Sequence, residues 1–259
     1  MLFHGLLGAR ASAKAGHAGQ AAQDGDQTPP EALFFVHIPK CAGSSFRQTL
    51  RRWFGQGALF LDTHDAGTLE ESVERLDDPP RAIAGHIPFG LHAGLPLRPC
   101  YVSLVRHPLD RFVSLYKHAR RTPEHSLHPA AARLDLEAFY DFSLNDARAR
   151  GSTVAVQCYF LSGERSFEAA RAVIDKSYAL LAPVERYGEF VAACAERFGC
   201  QPPEIPARNV GEESPQMAEA LEALGQRIKV DHAQDLSLFT YVGETFDARR
   251  ASLCFALHV

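Results

Sequence analysis

The passage that most constrains this chain is Leu33-Phe34-Phe35-Val36 running into His37-Ile38-Pro39-Lys40-Cys41-Ala42-Gly43-Ser44-Ser45 and then Phe46. An unbroken apolar run suits a strand covered on both faces, as in a parallel sheet. The small residues after it make a tight turn, and residues 46–54 return to helical spacing, with Phe46, Leu50 and Trp53 or Phe54 on one face. A strand that turns directly into a helix aims unpaired N–H groups and the positive helix end at one point, where an anion can sit. Gly43 permits close approach, Ser44 and Ser45 add hydroxyl donors, and Lys40 adds a positive charge.

The same alternation recurs downstream. Short strands are expected at 58–61, 81–85 and 101–105, and a polar helix at 68–76. Pro108 opens a helix to about residue 121. The second half reads as helices at 136–145, 152–160, 166–177, 187–198, 215–229 and 231–241, with one more strand at 178–183. The expected fold is α/β: a P-loop-like three-layer arrangement with a central, mainly parallel sheet flanked by helices, and a helical second half. Residues 1–31, rich in Ala, Gly and Gln and ending at Pro29-Pro30, read as a flexible tail, leaving 32–259 as a single domain.

Charge narrows the function. The net charge is −4, yet residues 37–52 carry +4 and residues 98–121 carry +5, so the rest carries −13. Cationic stretches confined to two short segments suit a local anion site and not a nucleic-acid surface. The six cysteines form no C-x-x-C pair and no zinc-like cluster, so free thiols and no metal are expected. No apolar run is long enough to span a bilayer, and the opening MLFHGLLGA is too short for a secretory core. A cytoplasmic protein is the expectation.

The order of residues in the first loop separates two chemistries. A nucleotide triphosphatase loop reads G-x-x-x-x-G-K-[ST], with a hydroxyl on magnesium. Here Lys40 precedes Gly43 and no Lys-Ser/Thr pair follows. The stretch from His37 to Phe46 instead resembles the 5′-phosphosulfate loop of sulfotransferases, particularly the carbohydrate, 2-O-sulfotransferase-like type. The resemblance implies 3′-phosphoadenosine 5′-phosphosulfate (PAPS) as sulfo donor, held by Lys40, Cys41, Ala42, Gly43, Ser44 and Ser45. Family members usually carry Thr where this chain has Cys41, a position that works through its backbone amide.

A second segment extends the likeness. Arg106-His107-Pro108-Leu109-Asp110-Arg111-Phe112-Val113-Ser114 is similar to the family's 3′-phosphate motif, Arg-x-Pro-x-x-Arg-x-x-Ser, at every fixed position. The resemblance makes Arg106 and Ser114 ligands of the donor's 3′-phosphate; an Arg fork and a hydroxyl suit a phosphate dianion. Arg111 is expected in a structural ion pair, and Arg120 and Arg121 on a solvated face. Between the motifs, Gly85-His86-Ile87-Pro88-Phe89-Gly90 resembles the segment that carries the family's base, so His86 is the candidate catalytic base, with His92 second. Lys40 would share the catalysis by stabilising charge on the leaving phosphate. His37, His64, His107, His118, His125 and His128 are expected to be structural. Further on, Glu185 is read as supporting the donor loop, 207–210 as a loop near the adenosine, and 232–241 as a closing helix.

The expected activity is therefore sulfo transfer from PAPS to a hydroxyl of a carbohydrate or other small acceptor, by in-line attack and without a metal. A nucleotide-kinase-like phosphotransferase, or a non-catalytic nucleotide-binding module, are the competing readings. The former would need magnesium and ATP; the latter would bind 3′,5′-diphosphoadenosine without turnover.

Overall fold

The computed structural model describes residues 28–204 and 215–255. Its centre is a sheet of five strands, β1 (Glu31–Val36), β2 (Ala58–Phe60), β3 (Ala82–Gly85), β4 (Arg98–Val105) and β5 (Tyr178–Pro183). They lie in the order β2-β3-β1-β4-β5, and every pair is parallel. Side chains alternate along β1. Phe35 meets Phe46 of α1 (Gly43–Phe54), which meets Phe190 of α9 (Tyr187–Arg197), while Phe34 meets Tyr101 and His92 on the other face. Burial on both faces is why the strand reads as a continuous apolar run.

The connection after β1 leads away to β2, whereas the one after β4 leads the other way, to β5. The carboxyl ends of β1 and β4 therefore flank the point where the strand order reverses, the place where open α/β sheets bind ligands. Both basic motifs emerge there.

Helices flank the sheet: α2 (Ala66–Glu74), α3 (Pro108–Arg121), α4 (His128–Ala131), α5 (Leu136–Asn145), α6 (Ala147–Thr153), α7 (Val156–Ser162), α8 (Phe167–Ser177), α10 (Pro215–Asp231) and α11 (Ala233–Phe255). Phe112, Tyr116, Phe139, Tyr140, Leu224 and Ile228 form a second buried cluster among α3, α5 and α10. Aspartates cap α2, α5 and α6: Asp65, Asp135 and Asp146 accept from the amides of Thr68, Ala138 and Ala149. None of the described helices is long and apolar enough to cross a membrane.

Several expected boundaries move. β1 starts at Glu31, inside the anticipated tail, where Arg197 holds its carboxylate at 2.7 Å; residues 1–27 lie outside the described residues. β4 begins at Arg98 and α4 was not anticipated. The helix expected over 152–160 is two helices, broken at Val154 and at Ala155, whose φ is 49°. No Gly or Pro marks that break. Tertiary donors take the freed carbonyls: Arg111 bonds those of Ser152 and Thr153, and Arg165 those of Gly151 and Val154. Arg111 is thus fully buried against carbonyls, and among the described residues no carboxylate lies within ion-pair distance of it, which corrects the expected ion pair; the buried Asp235 acts on it only through its charge.

Candidate active site

The loop after β1 is built on left-handed backbone at Lys40 (φ 70°) and Ala42 (φ 57°). Ala42 is the N-cap of α1, and no side chain caps that terminus. The Ser45 amide donates to the Ala42 carbonyl at 3.1 Å. The amides of Gly43 and Ser44 are left for an anion, and the helix dipole favours one there. Lys40 is half-buried; burial, then Arg121 and Arg106, lower its pKa.

Gly43 has a specific steric role. A Cβ there would lie 1.8 Å from His37 Cδ2. The His37 ring fills that space and stacks on the His86 ring, centroids 4.2 Å apart and 26° between planes. Burial, followed by the charge of His86, pushes the His37 pKa down to about 3, so His37 stays neutral.

His86 leaves the end of β3 held at three points. Its Nδ1 lies 2.7 Å from the His37 carbonyl oxygen, its backbone N–H donates to Asp62 Oδ1 at 2.8 Å, and its ring stacks on His37. A carbonyl oxygen only accepts, so Nδ1 carries the hydrogen. In that tautomer Nε2 is the ring nitrogen with a lone pair able to take a proton. Asp62 also pairs with Arg47 at 3.2 Å, which ties this anchor to α1.

Arg106 follows β4. Its Nη1 donates to the Lys40 carbonyl at 3.4 Å, joining the two basic motifs, while its buried Nε has no hydrogen-bond partner among the described residues. The side-chain amide of Gln157 brackets the Arg106 backbone, accepting from its N–H and donating to its C=O, both at 2.9 Å. Cys41 turns inward: its buried Sγ donates to Gln157 Oε1 at 3.4 Å, and burial pushes its pKa up to about 12. Its side chain cannot face a ligand in the cleft, so any donor contact at that position is through the backbone.

A cleft of about 630 Å³ gathers these groups. Lys40, Ser44 and His86 line it, with His37, His64, His118, His125, Tyr159, Phe160 and Arg165, and no carboxylate is among its lining residues. Of the sequence-derived candidates, Lys40, Ser44 and His86 meet there; Gly43 and Arg106 are not among its lining residues, Gly43 packing against His37 and Arg106 bonding the Lys40 carbonyl. Ser45 is exposed outside the lining, and Ser114 is half-buried on α3, one turn before His118. His92 lies elsewhere, its ring 4.7 Å from that of Tyr101 and 5.4 Å from that of Phe89. Glu185 is exposed, and 207–210 lies outside the described residues.

Residues that the sequence did not single out complete the site. Asp62, Gln157 and Arg165 carry no local motif. His64, His118 and His125, expected from the sequence to be structural, line the cleft; burial and then Lys40 lower the pKa of both His118 and His125. The spacing of Ser114 and His118 on one helix face was the only available signal for any of them.

Comparison with known proteins decides the family. A model described as the sulfotransferase family matches residues 25–157, which contain both basic motifs, His86 and Gln157. The chain belongs to the sulfotransferase family. It is an enzyme, a sulfotransferase, and the match spans every β-strand up to β4 and the cleft-lining residues from His37 to Val156. Among solved structures, it is similar to a sulfotransferase from Alicyclobacillus acidocaldarius, at 16% identity and a TM-score of 0.45, covering 81% of this chain and 96% of that one. No curated protein matches the sequence. Among the described residues, no group of three or more His, Cys, Asp and Glu could hold a metal ion.

Proposed function

We propose that this sulfotransferase moves the sulfo group of PAPS to a hydroxyl of a carbohydrate or similarly modest-charged acceptor, with His86 as base. The observation that carries the reading is the bond between His86 Nδ1 and the His37 carbonyl, which leaves Nε2 as the proton acceptor in a cleft shared with Lys40 and Ser44. A general base must be oriented before its pKa matters.

The residues fit the donor. The uncapped start of α1 and Lys40 suit its 5′-phosphosulfate, and the half-buried guanidinium of Arg106 at the end of β4 suits its 3′-phosphate. PAPS supplies a sulfo group bonded to a phosphate leaving group. In the proposed step the acceptor oxygen bonds to sulfur, the bond from sulfur to the phosphate oxygen breaks, and the hydroxyl proton passes to His86 Nε2. Lys40 and the amides of Gly43 and Ser44 stabilise negative charge as it grows on the leaving phosphate. Ser44, exposed on the cleft wall, orients the phosphosulfate. Aromatic groups at Tyr159 and Phe160 beside His86 give an acceptor ring an apolar wall.

Calorimetry with 3′,5′-diphosphoadenosine in the presence of a chelator tests the reading. Binding on a micromolar scale without metal is expected. No binding, or binding only of ATP with magnesium, would overturn it in favour of phosphoryl transfer. A screen of sugar, lipid and phenolic hydroxyls with labelled donor then identifies the acceptor.

A further inference from the structure

We infer that Gln157 is a positioning residue that holds the two donor-binding segments in one rigid frame, so that the grip on the 3′-phosphate depends on a side chain that touches no donor atom. The inference rests on the donor reading above. Ladder pairing along β4 ends at Val105 on the β5 side and at Ser103 on the β1 side. Arg106 is therefore the first residue beyond the sheet, and its N–H and C=O have no strand neighbour. The primary amide of Gln157 takes that neighbour's place, accepting and donating at 2.9 Å as a peptide group would. This fixes the backbone from which the Arg106 guanidinium projects. The same Oε1 receives Cys41 Sγ–H from the other donor segment, across 116 residues of sequence.

Gln157 is itself braced. It lies in the first turn of α7, just after the left-handed Ala155, and it is fully buried. Asp235 of α11, also buried, accepts from the amide of Cys158 at 3.1 Å and from that of Gln157 at 3.4 Å. A carboxylate at a helix N-terminus is a stabilising arrangement, and here it anchors the turn that carries Gln157. The chain of contacts runs from α11 through α7 to the end of β4 and the loop after β1.

A purely structural glutamine would weaken every ligand alike when replaced, whereas a positioning residue for Arg106 changes the worth of the 3′-phosphate selectively. The test compares 3′,5′-diphosphoadenosine with adenosine 5′-phosphate by calorimetry, for the wild-type chain, Gln157→Met and Gln157→Glu, alongside thermal melts. Met keeps the length but neither hydrogen-bonding group; Glu keeps the acceptor and loses the donor. The preference for the doubly phosphorylated ligand is expected to fall at least tenfold in Gln157→Met, and measurably in Gln157→Glu, with Arg106 intact. An unchanged preference in Gln157→Met, or equal weakening of both ligands, overturns the inference. If Gln157→Met fails to fold, an unchanged preference in Gln157→Glu overturns it. A wild-type chain that binds neither ligand overturns the donor reading itself, and this inference with it.

Discussion

Replacing Gly43 with alanine tests whether the first loop and His86, the proposed base, are mechanically linked. The added Cβ would stand 1.8 Å from His37 Cδ2 and 2.1 Å from Nε2. Carbon atoms in contact sit about 3.5–4.0 Å apart, so the ring would have to retreat by roughly 1.7 Å or more. His37 is buried and stacked against His86 at 4.2 Å, so the displacement is passed to the His86 ring and to the carbonyl that sets its tautomer. Two energies compete. A Gly→Ala change at a compatible helical position stabilises by about 0.4–1 kcal/mol, through the unfolded chain. Overpacking a filled site costs about 1–3 kcal/mol, and the clash wins. The net cost is up to about 2.6 kcal/mol, so at about 2–4 °C per kcal/mol for a chain of this size the melting temperature should fall by up to about 10 °C. A base misplaced by about 1 Å costs on the order of 10²-fold in rate, so kcat should drop about that far. Affinity for 3′,5′-diphosphoadenosine should change by less. Gly225 on α10 provides the control: a Cβ there meets nothing within 4 Å, and Gly225→Ala should be neutral or stabilising. The assay is sulfo transfer from labelled PAPS to the acceptor found by screening, with thermal melts of both variants. A Gly43→Ala protein as stable as the wild type, with kcat within twofold, refutes the steric link.

Three further outcomes follow from the site. His86→Ala should retain donor binding and lose about 10²–10⁴-fold in transfer, Lys40→Ala should harm transfer, and Arg106→Ala should weaken donor binding. Transfer at the original rate in His86→Ala would remove its assignment as base. Burial holds His37 at about 3 and His232 at about 4, below their ordinary 6.5. As pH falls below 6.5 the unfolded chain binds protons at these positions before the native one does, so stability should fall by about 1.4 kcal/mol per pH unit per histidine until each folded value is reached. Asp235, whose pKa is raised by burial, contributes the opposite slope equally in any His232 variant. Urea unfolding between pH 7 and 5 should therefore show a shallower acid loss for His232→Phe, and an unchanged slope would contradict the account. Finally, Cys41, buried and pushed up to about 12, should resist iodoacetamide at pH 8 in the native chain, as read by mass spectrometry. Rapid native-state alkylation would show that the thiol faces the cleft.

Much of the fold was legible because it is local. The apolar run of β1, the small residues after it, and Pro108 at the start of α3 each dictate backbone shape over a few residues. The break between α6 and α7 was not legible. Residues 152–160 keep helical spacing, and what ends the helix is Arg111 and Arg165 competing for its carbonyls from elsewhere in the chain. His92 illustrates the reverse error. It lies six residues after His86, but the chain carries it back to the aromatic cluster around Phe89 and Tyr101. His64 joins His118 and His125 only at the cleft, whereas those two are seven residues apart with ring centroids 5.3 Å from each other.

The sequence by itself determined the chemistry class: an anion-binding strand–loop–helix with Lys40 ahead of Gly43, and a second basic motif at a strand end with Arg106. Such motifs are read from residue order because a loop and the helix it starts are contiguous in the chain. Only the tertiary structure decided which ring nitrogen of His86 can take a proton, that Gly43 makes room for His37, and that Gln157 stands in for a missing strand beside Arg106. Those decisions belong to contacts spanning 49 and 51 residues for His86 and Gln157. Periodicity and spacing act over a few turns of chain, and contacts made at that range exist only once the sheet has brought its carboxyl ends together.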